Sequence, residues 1–472
     1  MGGKRAALRA GVAILALLAP AAPLLAEDGP PKGAPLDERL ERVERELERT
    51  RAEVEALRRE RETRPPAPAE PPEPAGEGLP KDLGDRAFVT FKDGFDLIYV
   101  DSDGDPAAEP ADRVLHRLGV HGLLHADFRG LLEPDYPTGD QFLLRRARLT
   151  VVGTLYRHHQ FQVEVDGGGF STGVRDAHLT FAYLDAARVR VGAQKVPFSF
   201  ELLASARFLP FVEFSLFNLA TSGLQRDIGV QVLGDLGPVA YQVGVFNGSG
   251  IGRADDNDDK DVALRLSLAP FRDDEGSALR GLSLGGAFTI GHQSRAPQDF
   301  PTYAGTTYVD FLPATSMSGV RYRLGAEAGF SAGPWNAVAE LFHLRLEDLE
   351  APGAKRSAGV ESFYIGLSYM LTGEDFPLAK RVRPRRDFDP FAGGTGAVAV
   401  VARFDTLHID HGIFSSGIAS GTNHLDALTL GARWFLNAFL KVEADFYHAW
   451  FDDDVAGEDD EWGVNARFAL TF

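Results

Sequence analysis

The stretch Trp462-Gly463-Val464-Asn465-Ala466-Arg467-Phe468-Ala469-Leu470-Thr471-Phe472 alternates residue by residue. Val464, Ala466, Phe468, Leu470 and Phe472 fall on one face; Asn465, Arg467, Ala469 and Thr471 fall on the other. A strand with one apolar face has this period of two. Ending such a strand on an aromatic is a habit of bacterial outer-membrane barrels. A similar unit of about ten residues recurs from Arg117 onward, which predicts an all-β protein built as a transmembrane antiparallel β-barrel.

Working back from that stretch, alternating runs lie near 117–128, 146–155, 160–166, 176–183, 188–194, 227–234, 238–246 and 260–270. More follow near 280–292, 319–330, 334–346, 360–372, 396–408, 426–436, 438–450 and 462–472. About sixteen strands result, an even number that lets a barrel close with both ends in the periplasm. A water-soluble sandwich also alternates, but here the apolar faces are unbroken by charge over many strands. The links alternate in length as well. Short ones include Arg157-His158-His159, Asp185-Ala186, Asp235–Pro238, Ser331–Pro334 and Asn437-Ala438. Long ones, expected to face outward, include 129–140, 197–226, 247–259, 293–318, 409–425 and 451–461. Residues 373–395 run long where a short turn is due, so either a strand is miscounted or that turn is elaborated.

The chain ahead of the barrel divides into three. Residues 1–26 read as a secretory signal, with Lys4, Arg5 and Arg9 before the apolar run Gly11–Ala19 and Ala26 at the cleavage point. Residues 27–63 hold a helix whose Leu36, Leu40, Val43, Leu47, Thr50, Val54 and Leu57 repeat at 4 and 3, as in a coiled coil. Residues 64–85 form a Pro-rich periplasmic spacer. The barrel domain is 86–472. It opens with two short extended pieces, Phe88–Phe91 and Leu97–Val100. Asp101-Ser102-Asp103-Gly104-Asp105 resembles the start of a calcium loop, but the distal glutamate is missing and a polar turn is the better reading. No segment offers about eighteen consecutive apolar residues, so a membrane is crossed by strands.

Net charge is −19. Loss of residues 1–26 removes three cations and no acids, leaving 46 against 68, or −22. That argues against nucleic acid as a partner but leaves the sign of a pore open, because a lumen can be basic inside an acidic protein. Cysteine is absent, which suits export to an oxidising compartment. His121 and His125 share a strand face, and His158-His159 sit in a turn; no nucleophile or metal-ligand spacing accompanies them. Catalysis, a cofactor and a metal are therefore not expected.

In the long link 197–226, the core Phe208-Leu209-Pro210-Phe211-Val212-Glu213-Phe214 is too apolar to stand in water, and folding inward would bury it. Several stretches resemble the phosphate-selective porins of Gram-negative outer membranes. They include Leu144-Arg145-Arg146-Ala147-Arg148-Leu149 with Gly153-Thr154-Leu155-Tyr156, Phe161-Gln162-Val163-Glu164-Val165-Asp166, and Val191-Gly192-Ala193-Gln194-Lys195-Val196-Pro197-Phe198. Arg226-Asp227-Ile228-Gly229-Val230-Gln231, Gly244–Gly250, Tyr369–Glu374 and Trp434–Asn437 continue the match. The resemblance implies an outer-membrane homotrimer of sixteen-stranded barrels, set in lipid and lipopolysaccharide, with an inward third loop and a basic path for small anions such as phosphate. By the same resemblance Arg145, Arg146, Arg148, Lys195, Arg207 and Arg226 are the candidate path residues. Guanidinium groups suit phosphate, since their donor fork matches its oxygens. The sequence departs from the family at Glu213-Phe214-Ser215, where Glu-Arg-Ser is usual. Two rival readings stay open. Each lumen arginine could be paired wall structure, with Glu164, Glu327, Glu340 and Glu443 as partners, in a general or organic-solute channel. The coil could be a trimerisation device or a peptidoglycan tether.

Overall fold

The computed structural model describes residues 86–91, 94–100, 114–132, 140–169, 172–253, 255, 257–295 and 297–472. The signal segment, heptad helix, Pro-rich spacer and Asp101–Asp105 turn lie outside them.

Sixteen strands form one closed ring. They are β1 (Val114–Leu131), β2 (Gln141–Leu155), β3 (His159–Asp166), β4 (Gly173–Leu184), β5 (Ala187–Lys195), β6 (Arg226–Leu236), β7 (Val239–Phe246) and β8 (Asp261–Leu268). Then follow β9 (Leu282–Gln293), β10 (Gly319–Ala332), β11 (Trp335–Ala351), β12 (Ala354–Met370), β13 (Ala397–Ile409), β14 (His424–Phe435), β15 (Leu440–Val455) and β16 (Glu458–Thr471). Each pairs antiparallel with the next, and β16 returns to β1 through Gly463↔Leu131 to Thr471↔Leu123. Closure leaves no edge, so strand backbone groups are paired without water. The two short pieces at the start form a hairpin, Arg86–Phe91 with Phe95–Val100, whose second strand pairs antiparallel with Val114–Val120 of β1.

Alternation sorts the side chains as the sequence predicts. Val163, Val191, Ile228, Leu266, Leu367 and Leu430 are exposed on the outer face. Glu164, Gln231, Arg323, Asp405, Glu443 and Arg467 are buried on the inner one. Aromatics pair outside near the strand ends, as Trp335 with Tyr369 (4.4 Å) and His448 with Trp462 (3.6 Å). Such girdles mark the two membrane interfaces.

Two links correct the sequence reading. Residues 451–461 are not a long loop. Strands β15 and β16 run on to Val455 and Glu458, joined by Ala456-Gly457, both at positive φ (56° and 90°). That is the conformation a two-residue hairpin turn requires. At the opposite end a second long link, 269–281, joins β8 to β9. The strand count stands, and 371–396 is an elaborated turn. Phe376 and Val382 pack with Met370, Ala397, Ala399 and Phe435. Its basic run is tied down: Arg381 donates to the Ala438 carbonyl and to Thr471 Oγ1 (3.2 Å), Arg385 to the Gly373 carbonyl, and Arg386 to the Ala392 carbonyl (3.0 Å).

The interior is filled unevenly. An apolar cluster joins Phe198 and Phe217 of the link 196–225, Phe300 and Tyr308 of the link 294–318, and inward residues of β11–β15 such as Phe342, Tyr364 and Tyr447. That side of the barrel is packed like a core. The inner faces of β2–β5 carry polar and charged groups instead.

Candidate functional site

The link between β5 and β6, residues 196–225, is pinned to the inner wall at several points. It carries two short helices, α1 (Phe200–Leu203) and α2 (Leu216–Ala220). Glu340 on β11 accepts hydrogen bonds from Ser199 Oγ (3.1 Å), the backbone amides of Phe200 (2.8 Å) and Glu201 (3.0 Å), and the Tyr364 hydroxyl (2.7 Å). One carboxylate thus satisfies the orphan amides at the start of α1. Arg403 on β13 donates to the carbonyls of Glu213 (2.9 Å) and Phe214 (3.2 Å) and lies over the Phe211 ring. Arg433 on β14 donates to the Pro210 carbonyl, while Asp445 on β15 accepts from the Val212 amide (2.8 Å). Glu340→Ala removes the cap and leaves buried donors unsatisfied, at a cost of about 1–3 kcal/mol. Limited proteolysis is expected to nick the Ala204–Phe208 region faster in that variant while β1–β16 stay protected.

These anchors deliver Glu213 to a nest of guanidinium groups. Its carboxylate meets Arg129 (2.7 Å), Arg145 (2.8 Å) and, farther off, Arg467 (3.7 Å), and its side chain is 1% exposed. Arg467 is also bound bidentately by Asp127 (2.8 and 2.6 Å) across the β16–β1 seam. Arg146 stands beside them, against His125 Nδ1 (3.2 Å) and the Phe214 ring. Adjacent residues of a regular strand point to opposite faces. A bulge makes the exception: His125 pairs with Arg146 and Ala126 with Leu144, so Arg145 is the extra residue and both arginines reach the interior. Burial alone raises the pKa of Glu213, but Arg145, Arg129 and Arg146 outweigh it and hold the carboxyl well below the usual carboxylate range.

A second group lies on β2–β6. Arg148 pairs with Asp166 (2.7 Å) and Glu164 (3.4 Å), and Arg226 with Asp176 (3.0 Å) and Glu164 (3.4 Å). Lys195 Nζ donates to the carbonyls of Leu203 and Ala204, both at 2.8 Å. Arg175 reaches Gln225 (3.4 Å) and Arg190 reaches Thr180 (2.9 Å). A second bulge, between Glu164↔Asp176 and Val165↔Val174, makes Arg175 the extra residue.

Of the six residues predicted from the sequence, Arg145 and Arg146 therefore join the Glu213 nest. Arg148, Lys195 and Arg226 belong to the second group. Arg207 is apart from both, lining a cleft with Phe208, Lys380 and Arg381 at the short-link end. Among the described residues no carboxylate forms an ion pair with Arg146, Arg175, Arg190, Lys195 or Arg323; Arg323 donates to Thr289 Oγ1 (2.9 Å) and lies over the Phe198 ring. Sequence reasoning missed Arg467, although it sits at an inward position of its alternating run, and Arg129, which it placed in the link 129–140 whereas β1 continues to Leu131. It also missed Arg175, whose bulge has no sequence signal. The predicted acidic partners divide: Glu164, Glu327 and Glu443 hold cations, whereas Glu340 serves the loop.

A family model described as phosphate-selective porin O and P matches residues 118–472. The chain belongs to this family. The match runs from within β1 through β16 and stops short of the N-terminal hairpin. Among solved structures, an anion-selective porin from Comamonas acidovorans is similar at 15% identity, covering 76% of this chain and 100% of that one, with a TM-score of 0.49. Outer-membrane expressed OmpT of Vibrio cholerae is similar at 10% identity, covering 76% and 98%, with a TM-score of 0.48. No curated protein sequence matches the chain. As a porin O and P family member, the barrel is an outer-membrane channel protein. The end that carries most of the short links, together with 269–281 and 371–396, then faces the periplasm.

Proposed function

We propose that this porin passes small anions, phosphate among them, along the polar sector lined by β2–β6 and narrowed by the link 196–225. The observation that carries this reading is the bulge that turns Arg145 and Arg146 inward together. Four guanidinium groups (Arg129, Arg145, Arg146, Arg467) then face two carboxylates (Glu213, Asp127). In the second group Arg148, Arg175, Lys195 and Arg226 face Glu164, Asp166 and Asp176. Both balances are positive inside an acidic protein. A surplus of fixed cations in a narrow, poorly solvated passage concentrates anions there. The paired arginines stiffen the wall; the unpaired Arg146, Arg175, Arg190 and Lys195 set the sign.

The test is reversal potential across a salt gradient in a planar bilayer, followed by phosphate titration of the chloride current. Anion selectivity with block by low phosphate is expected. Arg146→Ala is expected to weaken phosphate block about tenfold, the scale of one charge-assisted contact, and Lys195→Ala to relieve it in part. Cation selectivity, or a phosphate-insensitive current, sinks the proposal and leaves a general or organic-solute channel. We further propose that residues 27–63 join three such chains through their heptads in the periplasm. Cross-linking of full-length protein against a variant lacking 27–80 reports on that directly.

A further inference from the structure

Near the outer mouth, a cleft between the end of the 196–225 link, the 247–260 link and the 294–318 link has two unlike walls. One is apolar, made by Phe300, Met317, Leu344 and Leu346, each no more than 3% exposed. The other carries Arg253, Arg295 and Arg321, and among the described residues no carboxylate lines the cleft. Counted to its open mouth, open solvent included, the empty space is about 690 Å³.

Arg321 is the informative residue. It is 9% exposed. One terminal nitrogen is taken by Asp261 (2.7 Å) and the Gly248 carbonyl (3.0 Å), yet its Nε is buried with no hydrogen-bond partner. Ser249 Oγ, on the same cleft, is likewise buried and unpartnered. Unsatisfied donors at a lined cavity are costly unless something accepts from them. The apolar wall makes a bare inorganic anion a poor match. A phosphate or chloride ion covers none of that surface, whereas an acid with a hydrocarbon body covers both walls at once.

We infer that this cleft binds soluble organic anions in which one carboxylate or phosphate group is joined to a short apolar chain or ring. It is a capture site ahead of the constriction. The inference goes beyond the anion-conduction reading and does not depend on phosphate preference.

The probes are acetate, butyrate and hexanoate, added on the long-link side of the full-length porin in a planar bilayer, with block of the chloride current as the readout. Each added methylene that reaches the apolar wall tightens binding by about two- to fourfold, so hexanoate is expected to block about tenfold more tightly than butyrate. Arg253→Gln and Arg295→Gln change surface charges and leave the barrel wall intact; either is expected to weaken hexanoate block several-fold. A block that is the same for all three acids overturns the inference. So does a hexanoate block that neither variant weakens. Chain-length-dependent block in a cation-selective channel keeps this site and sinks the anion-conduction proposal. Anion selectivity without chain-length dependence does the reverse.

Discussion

Glu213→Gln raises anion selectivity and tightens phosphate block by about tenfold. Glu213 occupies the place among Arg129, Arg145 and Arg467 that a permeating anion would otherwise take. It acts as a built-in competitor. At 4 Å and an effective dielectric constant near 20, one unit charge is worth up to about 4 kcal/mol. Water in the passage reduces this, and about 1.4 kcal/mol corresponds to tenfold. Glutamine keeps the size and one acceptor oxygen, so the loop anchors at Arg403, Arg433 and Glu340 persist. Reversal potential and phosphate block in one bilayer measure both effects. Lower anion selectivity in the variant means that Glu213 merely holds the arginines in place. The pH dependence follows from its depressed pKa. A carboxylate whose folded pKa lies below its unfolded value contributes stability above the unfolded value, near 4.3, and loses it only as pH falls through the folded one. The Glu213 contribution to loop docking is therefore expected to persist from pH 8 through the ordinary carboxylate range and to be lost only in stronger acid, read as the difference in single-channel conductance between the protein and Glu213→Gln across pH.

Arg467→Met destabilises the barrel more than any other single change considered. Arg467 and Asp127 are both almost fully buried and joined by two hydrogen bonds across the closing seam. Methionine fills the space but leaves Asp127 as an uncompensated buried charge, which costs about 3–5 kcal/mol. The loss is read from the denaturant midpoint of unfolding in detergent, or from the temperature at which the compact gel band converts to the unfolded one. Pairing it with Asp127→Asn is expected to restore most of the loss, since the cost is the orphaned charge rather than the missing bridge. No recovery in the double variant overturns that account.

The strands were legible because each lies between lipid and lumen, and that boundary writes itself as alternation. Where a strand leaves the membrane the apolar face is no longer required. Asp452-Asp453-Asp454 therefore reads as a loop although β15 continues to Val455. The arginine nest was legible only in part. Arg145 and Arg146 were found, but alternation places neighbours on opposite faces, and nothing in Leu144-Arg145-Arg146-Ala147 announces a bulge. Their countercharge was harder still. Glu213 stands 84 positions from Arg129 and reaches it only after the link between β5 and β6 has docked on the far wall. Pairings of that kind belong to the closed barrel and to no local segment.

The seam has a consequence for how the molecule is made. Asp127 and Arg467 are 340 positions apart. Until β16 emerges, β1 presents a bare edge of amides and carbonyls over Leu123–Leu131, and no local contact can substitute for its missing neighbour. At synthesis rates of 5–20 residues per second, that interval lasts roughly 20–70 s. Through it the polypeptide carries sixteen apolar half-faces with nothing to bury them. Export must therefore keep the chain from pairing wrongly until its first and sixteenth strands can meet in the membrane.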